Sequence, residues 1–268
     1  AGSLCGRAMG AKRTSTIGYE ALFNSALAIA SREEFIASLT TNMPGAPDHF
    51  GRCSAINGAG PAVVADLPPV LPLAPKVFRE RAAAADAIVL DIRSYEAFGG
   101  AHVPGAYHIS LAGNFATFAG WVLPPDKDIL IVSDDPASID ECATWLRRLG
   151  LDRVAGSLAG GMTAWSSAGY ELSHLTQVGL PERNAMVCIG TGIVLVDPRA
   201  PNEFAGGHSD EAINIPAPDL RTRYVELDPE RPTVLTCNSG NRSSLGAALL
   251  MQRGFTKLLN AAGGMTAW

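Results

Sequence analysis

The segment Thr236-Cys237-Asn238-Ser239-Gly240-Asn241-Arg242-Ser243-Ser244 holds residue types and spacing suited to chemistry. Cys237 ends a short apolar run beginning at Thr233, and Arg242 and Ser243 fall where a helix starts. A tight loop of small polar residues around Gly240 can turn successive backbone N–H groups inward, and the positive end of the following helix adds to their field. The thiolate is the nucleophilic form of cysteine, and such surroundings lower its pKa from about 8.5 into a range of about 3.5–7.5. Lowering a thiol pKa by about two requires about 2.7 kcal/mol of preference for the charged sulfur, which two charge-assisted hydrogen bonds of about 1.5–3 kcal/mol each supply. Most cysteines after a core strand are inert packing residues. Gly240, Arg242 and Ser243 set Cys237 apart as a candidate nucleophile, with Asn238, Ser239, Gly240, Asn241 and Ser243 as its cradle.

The elements that position this loop occur twice. The heptapeptide AGGMTAW stands at Ala159–Trp165 and, unchanged, at Ala262–Trp268. Upstream, DIRSYEAFGGAHVPGAYHI from Asp91 aligns without gaps on DPRAPNEFAGGHSDEAINI from Asp197. Each copy opens with an apolar run ending in Asp (Ile88–Asp91; Ile193–Asp197). A second run follows (Ile129–Val132; Thr233–Thr236), then a helical stretch stopped by glycine (Ile139–Arg148 before Gly150; Ser243–Arg253 before Gly254). Strands alternating with helices predict an α/β fold with largely parallel sheets, whose ligands sit at the carboxyl ends of strands. Ser31 and Glu34 predict one capped helix before the repeats, broken by Asn42–Pro47. Leu67–Pro75 and Ser173–Arg183 read as linkers.

The 268 residues allow one large domain or two ordinary ones. Hydrophobic residues at 47 per cent and charged ones at 18 per cent are globular values, which excludes a disordered chain. A net charge of -5 offers no basic excess for nucleic acid or an anionic membrane. Without an apolar run long enough to span a bilayer, or a signal-peptide core, the chain reads as cytoplasmic. Five scattered cysteines fit reduced thiols better than a disulfide framework. No pair among His49, His102, His108, His174 and His208 has metal-ligand spacing, so neither metal nor other cofactor is expected.

The second copy resembles a rhodanese domain, the sulfurtransferase fold, over Asn184–Trp268. The resemblance rests on DPR at Asp197, F-x-x-GH ending at His208, INIP from Ile213, CNSGNRS at Cys237, RGF from Arg253 and the final GGMTAW. It implies a Cys237 that carries a persulfide sulfur, cradled by the loop to Arg242. The first copy is similar over Leu73–Leu172 but lacks the cysteine. Counting back from the shared Trp puts Asp134 in its place, and aligning the helix-ending glycines puts Ser133 there. Asp134, Asp135 and Asp140 would repel an anion, so this copy reads as catalytically silent. Residues 1–65, with AGSLCGRAMGAKRTSTIGYE, FNSALA and INGAGP, resemble the tail of metallo-β-lactamase-fold persulfide dioxygenases fused to two rhodanese domains. That implies a metal, iron, only where the complete upstream domain is present.

The expected architecture is therefore two rhodanese-like α/β domains, each a mostly parallel sheet flanked by helices, at 73–172 and 184–268, after a remnant at 1–65. The expected reaction moves sulfane sulfur from thiosulfate or a low-molecular-weight persulfide to a thiol or cyanide through Cys237, with Arg242 shaping the loop and supplying positive potential. Expected partners are the small donor and acceptor, an upstream metallo-β-lactamase-like domain or a second copy of the chain. The alternatives are a non-catalytic or regulatory tandem, and a Cys-dependent phosphatase or arsenate reductase. Loops of the latter type place one residue more between Cys and Arg than the four found here. Asp91 and Asp197, each with Arg two residues later, read as turn-capping ion pairs because the pattern survives in the copy without the cysteine. By the same reasoning His102 and His208 read as buried or half-buried packing residues, and Trp165 and Trp268 as packing beneath their loops. Cys142 and Cys5 read as a packing residue and a tail residue.

Overall fold

The structure, a computed structural model, describes residues 14–41, 47–63, 66–188 and 192–267. Ala1–Pro47 and Asp48–Trp268 form separate compact units. In the first, α1 (Ile17–Phe23) is capped by the Thr16 hydroxyl and α2 (Arg32–Thr40) by that of Ser31, which accepts from the Glu34 N–H at 3.3 Å. A third helix, α3 (Asp48–Ala59), belongs to the second unit, where Arg52 Nε donates to the Leu149 carbonyl at 2.9 Å. Among the described residues before the repeats there are thus three helices where one was expected, and they are divided between the two units. The two glycines inside α3 hide its periodicity. The break over Asn42–Pro47 lies outside the described residues except for Pro47, as do Cys5 and Trp268.

The repeats fold alike. The first runs β1 (Pro72–Leu73), α4 (Pro75–Ala82), β2 (Ala87–Asp91), α5 (Tyr95–Gly100), β3 (Tyr107–His108), α6 (Phe115–Val122), β4 (Asp128–Val132), α7 (Ala137–Arg148), β5 (Val154–Leu158) and α8 (Gly161–Ser167). The second runs β6 (Thr176–Val178), α9 (Leu180–Cys188), β7 (Val194–Asp197), α10 (Pro201–Ala205), β8 (Ala212–Asn214), α11 (Leu220–Arg223), β9 (Thr233–Leu235), α12 (Asn241–Met251) and β10 (Leu258–Ala261). The sheets have orders β1-β5-β4-β2-β3 and β6-β10-β9-β7-β8, with every pairing parallel, so the two copies share one topology.

Both segments read as linkers instead contribute edge strands. Leu67–Pro75 contains β1, where Pro72 is tolerated because an edge strand leaves one side of its backbone unpaired. Ser173–Arg183 contains β6, so the second domain's sheet begins before Asn184. The same segment is bonded to the first copy, since His102 and Ser173 exchange two backbone hydrogen bonds of 2.9 Å. Strands of two or three residues are too short for periodicity to register.

Each paired Asp-Arg motif ends a central strand. Asp197 is buried, accepts the Arg199 backbone N–H at 3.0 Å and pairs with its guanidinium at 2.7 Å; Asp91 and Arg93 repeat the arrangement at 3.0 and 2.7 Å. His102 is buried with its ring stacked on Phe98, and burial holds its pKa down at about 4, so it is a neutral packing group. His208 stacks on Phe204 likewise but is exposed, unlike the buried or half-buried position expected of it. Trp165 is buried and donates to the Glu171 carbonyl at 2.9 Å. Cys142 is fully buried, which pushes its thiol pKa up and leaves it inert.

Helix α12 couples the copies. Its residues Ser243–Leu250 are all buried, as expected of a helix covered on every side. One face meets β9 and β10, while β3 and α5 of the first copy pack on it as well. Leu250→Ala is expected to cost about 2–5 kcal/mol of unfolding free energy in urea titration. A cost near zero would show that α12 is not packed as described.

Candidate active site

β9 delivers the nucleophile candidate to the carboxyl edge of the second sheet. The Thr236 N–H donates to the Val196 carbonyl at 2.9 Å, and the chain then leaves the sheet at Cys237. It turns at Gly240, whose φ of +104° is in the range that favours glycine, and enters α12 at Asn241. This turn aims the Gly240 N–H at the Cys237 Sγ, 3.2 Å away. The Ser243 hydroxyl lies 3.3 Å from the same sulfur and 3.1 Å from the Gly240 carbonyl. A thiol can donate to this hydroxyl; once the sulfur is a thiolate, the hydroxyl turns its proton from the carbonyl to the sulfur. Cys237 is only 1 % exposed, yet it lines a cavity.

The repeated heptapeptide fixes the loop from behind. Met265 N–H donates to the Cys237 carbonyl at 2.7 Å and Thr266 N–H to that of Asn238 at 2.9 Å. A Cβ on Gly264, at φ +49°, would overlap the Cys237 carbonyl oxygen, so only glycine allows this approach. Asn260 Nδ2, buried on β10, donates to the Gly240 carbonyl at 3.2 Å.

The charged groups are paired one to one. The Arg242 guanidinium makes two bonds to the Glu203 carboxylate, with Nη2 to Oε1 at 2.9 Å. Arg199, locked on Asp197, reaches Asn238 Oδ1 at 3.2 Å, while Asn238 Nδ2 donates to Glu203 Oε1 at 3.2 Å. The Arg242 guanidinium is thus engaged by Glu203, which offsets the positive potential expected of it. Bonding to Arg242 holds the Glu203 carboxyl down at about 2.

Of the loop residues singled out in the sequence, Cys237, Asn238, Ser239, Asn241 and Arg242 line a cavity of about 190 Å³, while Gly240 and Ser243 contact the sulfur. Among the loop amides described, Gly240 alone makes a hydrogen bond to Sγ; the Asn238 side chain is turned to Arg199 and Glu203. The remaining wall comes from the first copy: Ala112, Gly113, Asn114 and Phe118. Phe118 also lies under the Arg242 guanidinium, its centroid 5.7 Å away. Tyr95, at the start of α5, covers the loop, because a Cβ on Gly240 would stand 3.0 Å from its ring.

The first copy repeats the frame with other side chains. Arg93 Nη1 meets Asp134 Oδ2 at 3.2 Å where Arg199 meets Asn238, and Gly161 packs on the Ser133 carbonyl where Gly264 packs on that of Cys237. Ser133, not Asp134, thus stands at the cysteine position. Its hydroxyl is engaged with the Asp135 N–H at 3.1 Å and with Ser138 Oγ at 2.7 Å, and Pro136 in this loop has no N–H to give. Asp134 is spent on Arg93 and the Met162 N–H.

Glu203, Asn260, Gly264, Tyr95 and the 112–118 wall were missed by sequence reasoning. For Glu203 a signal existed: its gapless twin is Ala97, so the Glu203–Arg242 pair occurs only in the copy with the cysteine. For Gly264 it was the unchanged heptapeptide. Nothing local marks the wall.

Gly264→Ala is expected to slow any Cys237-dependent turnover by about 10²-fold by displacing the loop, with Gly161→Ala, the twin change, slowing it at most about threefold. Equal rates for the two variants in steady-state assays would contradict this. The Glu203–Arg242 pair stabilises the fold fully above the free-carboxylate value of 4.5 and loses its contribution as pH falls towards about 2. The stability gap between wild type and Glu203→Gln should therefore be flat from about pH 6 to 8 and close on acidification, as read by thermal unfolding. A gap that widens in acid would contradict the pairing.

A family model described as the rhodanese-like domain matches residues 74–168 and 185–268. A sulfurtransferase of Allochromatium vinosum is 40 % identical over 76 residues, 28 % of this chain and 71 % of that protein. The thiosulfate sulfurtransferase GlpE of Pseudomonas syringae is 30 % identical over 89 residues, 33 % of this chain and 84 % of that one. Among solved structures, a metallo-β-lactamase of Staphylococcus aureus aligns over 59 % of this chain at 31 % identity and TM-score 0.47, and the thiosulfate sulfurtransferase of Pseudomonas aeruginosa over 75 % at 21 % and 0.33. The chain spans 42 % of each of those two. Among the described residues no group of three or more His, Cys, Asp or Glu could hold a metal, and no helix is long and apolar enough to cross a membrane. With both repeats matched by one family model and both sheets built in one order, the chain belongs to the rhodanese-like family.

Proposed function

We propose that this chain is a sulfurtransferase working by double displacement through Cys237. The observation that carries the reading is the convergence of the Gly240 N–H and the Ser243 hydroxyl on one sulfur at the floor of a cavity. The Cys237 thiolate attacks the outer sulfur of thiosulfate or of a small persulfide. The donor's S–S bond breaks, and sulfite or a thiolate leaves with the bonding pair. The new Cys237 persulfide is held by the Gly240 N–H and the start of α12 until a thiolate or cyanide takes its terminal sulfur and the Cys237 thiolate returns. Two easier displacements replace one hard one.

The phosphatase reading is less supported, because a phosphate needs a guanidinium free to chelate it and both Nη groups of Arg242 are bonded to Glu203. A place in the cytoplasm, and sulfur exchange with an upstream metallo-β-lactamase-like domain, belong to the same proposal. The first rests on sparse reduced cysteines and the second on the resemblance of residues 1–65.

Cys237→Ser is expected to abolish sulfur transfer from both thiosulfate and persulfide donors in a cyanide or thiol acceptor assay, while Cys142→Ala retains it. Undiminished turnover by Cys237→Ser would remove the mechanism.

A further inference from the structure

A larger cavity, of about 480 Å³, lies where α3 meets the two copies, and among the described residues it shares no lining residue with the cavity of Cys237. Three guanidiniums line it: Arg52 on α3, Arg221 on α11 and Arg253 just past the end of α12. No Asp or Glu stands among the described lining residues. The first copy adds Tyr107 from β3 and Trp121 from α6. The Gln252 amide, also in the lining, ties the copies together by donating to the Gly105 carbonyl at 3.4 Å.

Two of these arginines are not spent on ion pairs. Arg52 Nε donates to the Leu149 carbonyl at 2.9 Å, and its buried Nη2 has no hydrogen-bond partner among the described residues. The Arg253 guanidinium lies over the Tyr224 ring, 5.0 Å from the centroid. Burial pushes the Tyr107 phenol pKa up, and the charges of Arg253 and Arg221 both draw it back, so these two cations act on one spot. The carbonyl ends of α6 and α12 oppose the cations with only about half a charge each. Those ends are also partly engaged, with the Leu123 N–H on the Ala119 carbonyl at 3.1 Å and the Arg253 N–H on that of Leu250 at 2.9 Å. Arg52 and Arg253 alone outweigh them, and an entering anion relieves the repulsion between like charges. A guanidinium grips phosphate with two parallel bonds, and more than one around a single space suits a ligand with more than one negative charge. A bare inorganic ion would leave most of the cavity unused, since its size falls within the roughly 300–1,000 Å³ of small-molecule sites. Trp121, with Pro124 and Pro125 nearby in the lining, supplies the apolar wall against which a flat ring stacks.

We infer that this cavity binds a small organic phosphate bearing a flat ring, of the nucleoside diphosphate class, with Arg52 and Arg253 on the phosphates and Trp121 against the ring. The site lies apart from Cys237 and does not depend on the sulfurtransferase reading.

The test is isothermal titration calorimetry of the full chain with ADP, adenosine, pyrophosphate and phthalate, an aromatic dicarboxylate. ADP is expected to bind, with each of the other three weaker by about tenfold or more, because each lacks the ring or the phosphates. Arg253→Gln, at an exposed position, is expected to weaken ADP binding by about tenfold, and Trp121→Leu to shrink the advantage of ADP over pyrophosphate. Cys237→Ser is expected to leave ADP affinity unchanged, which separates this site from the cysteine loop. No binding of ADP, binding indifferent to Arg253→Gln, or phthalate held as tightly as ADP overturns the inference and leaves sulfur transfer untouched.

Discussion

The close approach of the Gly264 backbone to the Cys237 carbonyl governs the second domain's site. A sulfur at the end of a strand is of no use as an anion unless the amides beside it are held facing it, and a loop free to turn offers those amides to water instead. Here the Met265 and Thr266 N–H groups hold the loop's carbonyls, Asn260 holds that of Gly240, and the Gly240 N–H is left to face Sγ. The sulfur is bonded while the carbonyls of Cys237, Asn238 and Gly240 are held from the other side. This is preorganisation in the ordinary electrostatic sense: the orientation is fixed during folding and costs nothing when charge develops.

The comparison between copies separates structure from chemistry within one molecule. Asp-Arg pairs at the strand ends, the histidine stacked on a phenylalanine and the glycine against the loop carbonyl occur in both, so they build the fold. The thiol, the glycine with its sulfur-facing N–H and the Glu203–Arg242 pair occur in one. The copy with Ser133 has nonetheless kept surfaces that matter to its twin: Tyr95 over the loop, Phe118 and Asn114 in the wall, β3 and α5 against α12. The first domain thus encloses the cysteine loop of the second.

Much of this was legible in the sequence. The four central strands and the two long helices of the repeats needed only apolar runs and glycine stops, and the loop of Cys237 was marked by its residue types. What escaped was short or distant. β1 and β6 are two and three residues long, too brief for a pattern, and both lay in segments whose prolines and polar residues read as connectors. α3 was hidden by its two glycines. The wall of the cavity could not be read at all, because Ala112–Phe118 and Cys237 meet only when two domains dock, and no local preference encodes that meeting. The assignment of Ser133 over Asp134 likewise waited on the folded loop. The first copy has one residue more between its helix-ending glycine and the shared Trp, so the two alignment rules point to neighbouring positions.

The proposed role of the Cys237 sulfur as carrier of a transferred sulfur has a direct chemical signature, which peptide-level mass spectrometry reads after brief exposure to a sulfur donor. One added sulfur atom is expected on Cys237, with none on Cys142 in the same protein, and it should disappear once acceptor thiol is supplied. Persulfide on other cysteines with Cys237 unmodified, or a modification at Cys237 that no acceptor removes, would refute the role given to this sulfur.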